Sequence, residues 1–380
     1  MPEPHPDFSL TDTKWMKKAL KLAQKGVGYV SPNPLVGCVI VSAEGRQIGK
    51  GYHEKFGQAH AEINALKSIK KADERLLKGA TVYVTLEPCS HTGKTPACAK
   101  KLAQLPLKRV VVALRDPNPV VNGRGMEMLR KAGIQVDSGL MEREARQQNE
   151  HFLHYIKTGK PFVTLKLAQT LDGYIAAPDG SSQWVTGPEA RKVVHQWRSE
   201  YDAVMVGRNT VLNDNPRLTV RHVDGRQPRR IVVDGPLELP PEMHLFSDQY
   251  EERTLVITHN REKYQAHGDP MLNIINPKGF KGKTLLVGRK NGHSDLNEAL
   301  YELAAQDIAS ILVEPGRDLA RALIRENLAD KLELFLAPKL LGGGTRSVLG
   351  LGIERISEAL QLKQMKYEPV GQDLRISAYF

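Results

Sequence analysis

TVYVTLEPCSHTGKTPAC, residues 81–98, decides how the first part of this 380-residue chain folds. Five residues with the character of a buried strand run straight into a polar turn, and that turn holds two of the chain's three cysteines, Cys89 and Cys98. Three thiols cannot build a disulfide framework, and a close pair in a reducing compartment points to a metal or to catalysis. Upstream, QAHAEINAL (58–66) opens a helix with His60 and follows it two residues later with Glu62. Zinc takes four ligands from thiolates and imidazoles, and a catalytic site keeps one of the four places for water. His60, Cys89 and Cys98 therefore make a complete protein set for catalytic zinc. A structural zinc would want a fourth ligand, which His91 could supply, so that alternative stays open. Any one of these residues alone reads as a helix cap or a space filler. Cys38, inside VGCVIV, reads as a buried small hydrophobe.

His-x-Glu, then Pro-Cys, then a second Cys is the pattern of zinc-dependent nucleobase deaminases. In that chemistry a metal-activated water attacks the ring carbon bearing the amino group, and a glutamate that is not a ligand moves the protons. Glu62 is the expected glutamate. One feature departs from the simple pattern: eight residues separate the cysteines, where two are usual.

Working outward, apolar residues at helical spacing in DTKWMKKALKLAQKG predict a first helix ending at Gly26. Strands VGCVIV, ATVYVTL and RVVVALRD then alternate with helices AEINALKSIKKA and ACAKKLAQL, which predicts a layered α/β sheet with parallel pairs. A polar helical stretch ends at Gly159-Lys160-Pro161, placing a boundary near 157. Beyond it PFVTLKLAQ, DAVMVG, RRIVVDG, RTLVIT, TLLVG, ASILVEPG and KLELFLAP read as strands, with helices at 188–200, 296–306 and 317–327. The expected domains are thus 1–157 and 158–380, both α/β.

Apolar content of 41% with 26% charged residues suits a globular chain, and no stretch is apolar enough for a membrane helix. The acidic, proline-rich start lacks the features of a signal peptide, so a cytoplasmic location is expected. The excess of 11 positive charges favours an anionic ligand. Basic residues are scattered and aromatics are only 6%, which favours a small anion over nucleic acid. The second half has neither a G-x-G-x-x-G fingerprint nor a phosphate loop of the G-x-x-x-x-G-K-[ST] type, so an ordinary dinucleotide fold is unsupported. ASILVEPGRDLARALI does place Glu-Pro-Gly between a strand and a helix, and a helix N-terminus suits a pyrophosphate. A plain strand-to-helix turn fits that stretch equally well.

Together SPNPLVGCVIV, HAE, TLEPCSHTGKTPAC, RDPNPVVNGRG, LKLAQTLDGYIA, SSQWVTG, NDNPRLTVR, VEPG and APKLLGG resemble the bifunctional riboflavin-biosynthesis deaminase–reductase family. The resemblance runs nearly end to end and accounts for the long inter-cysteine insertion. It implies a cytidine-deaminase-like three-layer N-terminal domain and a dihydrofolate-reductase-like C-terminal domain using NADPH. It further implies a phosphoribosylaminopyrimidine substrate met in the deaminase by Asn33, His53, Lys94, Asp116 and Asn118. By the same resemblance Ala168, Trp184, Thr210, Asp214, Gly316, Arg317, Asp318, Leu319, Ala320, Arg321 and Ala322 line the cofactor. Ser182, Arg198, Leu218, Arg221 and Glu314 hold the sugar phosphate, with Lys166 near the reacting centre. Asn suits a pyrimidine edge, Lys and His suit a phosphate, and paired arginines offer bidentate donors. Each also has a plainer reading: a turn for RDPNP, a solvated loop for Lys94, a solvated helix face for Arg198, an outward strand position for Lys166. A homo-oligomer is expected. A nucleic-acid base deaminase with an accessory binding domain is the rival, since it shares the His-Ala-Glu and Pro-Cys core; such an enzyme needs stacking groups that the sequence does not display.

Overall fold

Ser9 starts the first helix by a reciprocal cap: its hydroxyl accepts from the Asp12 N–H, and the Asp12 side chain accepts from the Ser9 N–H. The structure, a computed structural model, describes residues 7–90, 97–265, 268–269, 274–275, 281–348 and 350–380. The chain divides into two compact units, Met1–Gly159 and Lys160–Phe380.

The first unit runs α1 (Leu10–Ala23), β1 (Gly37–Val41), β2 (Gln47–Tyr52), α2 (Ala61–Lys67), β3 (Thr81–Val84), α3 (Cys98–Ala103), β4 (Arg109–Val112), α4 (Arg124–Lys131), β5 (Gln135–Ser138), α5 (Glu142–Gln148) and α6 (Glu150–Thr158). Its sheet has the order β2-β1-β3-β4-β5. β3, β4 and β5 are parallel, while β1 is antiparallel to both its neighbours. Alternation along β1 explains the layers. Cys38 and Ile40 face one core with Ala61 and Ala65 of α2, Leu102 of α3 and Leu129 of α4. Val39 and Val41 face the other, with Trp15, Met16 and Ala19 of α1 and Phe152 of α6. Helices on both faces of one sheet give the three layers. At Gly51 on β2 a Cβ would lie 2.3 Å from the backbone nitrogen of Ala65, so α2 seats on the sheet only because that residue has no side chain. The helix start carrying His60 and Glu62 is placed by this contact.

The second unit runs β6 (Phe162–Thr170), β7 (Tyr174–Ala176), α7 (Pro188–Glu200), β8 (Ala203–Gly207), α8 (Arg208–Asp214), β9 (Arg229–Val233), α9 (His244–Ser247), β10 (Thr254–Thr258), α10 (Arg261–Gln265), β11 (Gly268–Asp269), β12 (Ile274–Ile275), β13 (Lys283–Leu286), β14 (Arg289–Lys290), β15 (His293–Ser294), α11 (Leu296–Ala304), β16 (Ser310–Val313), α12 (Arg317–Arg325), β17 (Lys331–Ala337), β18 (Thr345–Arg346), β19 (Lys363–Val370) and β20 (Asp373–Tyr379). Its main sheet has the order β11-β12-β13-β10-β9-β8-β16-β6-β17-β20-β19. The seven strands from β13 to β17 run parallel to one another, β12 lies antiparallel on β13, and β20 and β19 add an antiparallel hairpin on β17. Parallel strands leave their C-terminal ends on one side, and in open α/β sheets ligands bind outside those ends. The ends of β8, β16 and β6, which are adjacent in the sheet, open into the loops described below. Among the described residues no helix is long and apolar enough to cross a membrane.

Candidate active sites

His60 is the residue before α2 and Cys98 is the first residue of α3, so two helix starts and the turn after β3 converge. The His60 Nδ1 lies 3.6 Å from Cys89 Sγ and 3.4 Å from Cys98 Sγ, and the three ligand atoms fall within 4.8 Å of one another. Zinc bonds of about 2.3 Å to sulfur and 2.0–2.1 Å to nitrogen at a tetrahedral angle put S and N about 3.6 Å apart. The observed spacings match that edge, so the three side chains fit zinc without rearrangement. The Cys98 N–H donates to Cys89 Sγ at 3.3 Å. Hydrogen bonding from Cys98, with help from His60, holds the Cys89 thiol well below its ordinary range, and Cys98 is pushed up in turn. A bound cation takes both sulfurs as thiolates, so metal binding here would release protons. His91 and Lys94 lie outside the described residues.

Glu62, 3% exposed, sits one helical step into α2. Burial raises its carboxyl to about 7, with the Cys89 charge adding to the rise. A carboxyl poised near neutrality can both take and give a proton. His53 is 2% exposed and has both ring nitrogens engaged. Nδ1 meets the Ala59 carbonyl at 3.1 Å and so carries the hydrogen; Nε2 then accepts from the Asn33 amide at 3.1 Å. Its ring stands edge-on to His60, centroids 5.5 Å apart, and burial lowers its pKa. His53, expected among the substrate contacts, is thus buried and hydrogen-bonded to Asn33, another of the expected contacts. Asp116 and Asn118 form a tight turn, in which the Asn118 N–H donates to Asp116 Oδ1 at 2.9 Å and the Val120 N–H to Asn118 Oδ1 at 3.1 Å.

In the second unit a cavity of about 610 Å³ is lined from β6 by Lys166 and Ala168, and by Ser182, Trp184, Arg198, Thr210, Asp214, Leu218, Arg221, Glu314, Gly316, Arg317 and Asp318. Arg198 and Glu314, both expected to hold substrate, grip one another: Nε donates to Oε1 at 2.6 Å and Nη2 to Oε2 at 3.0 Å. Burial alone would raise Glu314, but the Arg198 charge and hydrogen bonds, with Lys166 and His195 nearby, bring it down to about 2. Lys166 points into the cavity, not to solvent, and burial lowers its pKa against the pull of Glu314. Ser182 donates to Asp214 at 3.1 Å. Trp184 is 61% exposed, with the Arg191 guanidinium 4.4 Å above its ring. A Cβ at Gly316 would meet Thr210 Oγ1 at 3.2 Å, so the start of α12 is pressed on α8.

The run Gly316–Ala322 does not line the cavity as a block. Leu319 and Ala320 lie on the buried face of α12, Ala322 packs against the core, and Arg321 lies 3.5 Å from Asp318. Helical periodicity turns those side chains away, leaving Gly316, Arg317 and Asp318 at the opening. Sequence reasoning also passed over His195, which lines the cavity and whose Nδ1 accepts the Arg221 N–H at 3.1 Å. Helical spacing from Arg198, one turn away, was the signal for it.

The family model "Cytidine and deoxycytidylate deaminase zinc-binding region" matches residues 9–114, and "RibD C-terminal domain" matches 161–376. Fold and site thus define a zinc-binding, cytidine-deaminase-type enzyme joined to a reductase. A riboflavin biosynthesis protein RibD from Aquifex aeolicus is 45% identical over 96% of this chain and 97% of its own length. That of Escherichia coli K12 is 41% identical over 96% and 98%. Acinetobacter baumannii RibD superposes with a TM-score of 0.84 at 36% identity, covering 97% of this chain and 98% of that one. The Thermotoga maritima diaminohydroxyphosphoribosylaminopyrimidine deaminase/5-amino-6-(5-phosphoribosylamino)uracil reductase gives 0.83 at 36%, with the same coverage. The chain belongs to the RibD family, the bifunctional deaminase–reductases of riboflavin biosynthesis.

Proposed function

We propose that residues 1–157 deaminate 2,5-diamino-6-ribosylamino-4(3H)-pyrimidinone 5′-phosphate and that 158–380 reduce the product's ribosyl chain to ribityl, giving 5-amino-6-(5-phosphoribitylamino)uracil. The observation that carries the first half is the tetrahedral spacing of His60, Cys89 and Cys98 with Glu62 beside them. Zinc, when bound there, supplies the Lewis acidity that makes a water nucleophilic near neutral pH. Glu62 takes the proton of the attacking water and hands it to the leaving amino group, so ammonia departs as oxygen replaces nitrogen on the ring carbon. Asn33, oriented by His53, offers its amide to the pyrimidine edge, and Asp116 and Asn118 close the other side. Lys94 belongs to this proposed substrate set through the family resemblance.

In the second half three of the arginines that line the cavity, Arg217, Arg221 and Arg317, supply positive charge for phosphates. A nicotinamide, when bound, supplies the hydride. Ser182, Leu218 and Arg221 position the sugar phosphate, while Lys166 stands where C1′ of the opened ribosyl chain is reduced. Glu314 holds Arg198 and Lys166 in place. Ala168, Trp184, Thr210, Asp214 and the start of α12 take the cofactor. We infer NADPH in preference to NADH, a cytoplasmic location and a homo-oligomer from the family resemblance and the cationic cavity. Purified protein supplied with the phosphoribosylaminopyrimidine and NADPH should release ammonia and lose absorbance at the reduced-nicotinamide band. Turnover of an oligonucleotide with no nicotinamide oxidation would overturn the reading.

A further inference from the structure

Glu87 is 3% exposed, and its two side-chain oxygens accept four backbone N–H groups. Oε2 takes Asp116 at 3.2 Å and Gly123 at 2.9 Å; Oε1 takes Gly125 at 3.0 Å and Met126 at 3.3 Å. Gly123, the residue before α4, offers no side-chain cap, so Glu87 satisfies that helix start from a distant strand end. At Gly125 a Cβ would lie 2.0 Å from the Pro88 carbonyl, so α4 is pressed on the residue directly before Cys89. Ser90 Oγ reaches the Val120 carbonyl at 3.5 Å on the far side. The turn bearing Asp116 and Asn118 is thus tied to the segment bearing Cys89 at both of its ends.

We propose that Glu87 is a positioning residue of the deaminase: it fixes the Asp116–Asn118 turn relative to Cys89 and thereby sets substrate affinity more than the rate of the chemical step. The inference rests on the reading that this turn meets substrate. Glu87→Gln keeps the shape but sets an NH₂ against two N–H donors; zinc content reports the fold of the first unit, and the reductase of the same chain reports that the second is untouched. Expected are one zinc per chain, unchanged reduction kinetics, a deaminase KM raised about tenfold or more, and a kcat within about threefold of the parent. Glu87→Asp, which keeps both oxygens on a shorter stem, should recover part of the KM. Asp116→Asn separates the two claims. If it leaves KM unchanged, the substrate-turn reading fails, and the proposal with it; if it raises KM while Glu87→Gln does not, only the Glu87 proposal fails. Zinc loss with a parallel fall in kcat, or failure of both Glu87 variants to fold, would overturn the proposal by showing that Glu87 serves the metal or the fold alone.

Discussion

Glu62 and His195 show how burial sets protonation in the two units. Glu62→Gln removes the proton carrier without touching a ligand, and deaminase kcat should fall at least about a hundredfold while zinc content and reduction persist; steady-state assays of both half-reactions check it. His195 is held down to about 4 by burial, with Arg198, His222 and Arg221 adding positive charge. The unfolded chain takes up a proton there near pH 6.5, so the folded state binds fewer protons between about 4 and 6.5. Its contribution to stability is full above about 6.5 and drains as pH falls toward 4. Glu314, drawn down to about 2, adds a second loss between about 4.5 and 2. Urea midpoints of the second unit should fall from pH 7.5 to 4, and His195→Gln should flatten the upper limb. An unchanged slope in that variant would contradict the assignment. The metal set was legible in the sequence because Cys and His are scarce and their spacing is informative. Glu87 was not, because one letter cannot tell an anchoring glutamate from a solvated one, and the hydrogen bond between His53 and Asn33 is equally invisible in the sequence.

Among the elements, the strands read from apolar runs are present, because central parallel strands are buried on both faces. β2 and β5 escaped because QIGKGY and QVDS carry few apolar residues, and β19 because KQMKYEPV is exposed along nearly its whole length. Of the run Gly316–Ala322 only the first three residues line the cavity, since a helix can turn only part of a seven-residue run toward one opening. The decisive element contact for the metal set is α2 on β2. Gly51→Val should push α2 off the sheet, cost roughly 1–3 kcal/mol in the first unit and weaken zinc retention on dialysis. Reductase kinetics should stay as they were. Full zinc occupancy in that variant would show that α2 placement does not govern the ligand set.

For the whole molecule, two sheets with separate cores carry two chemistries, and one metal is expected to serve only the first. The direct test is to strip the full chain with a chelator and assay each half-reaction with its own substrate. Deamination should disappear and return with one equivalent of zinc per chain, while nicotinamide oxidation by the second unit continues throughout. Deamination that survives complete removal of the metal, or reduction that vanishes and returns with it, would overturn this division of labour.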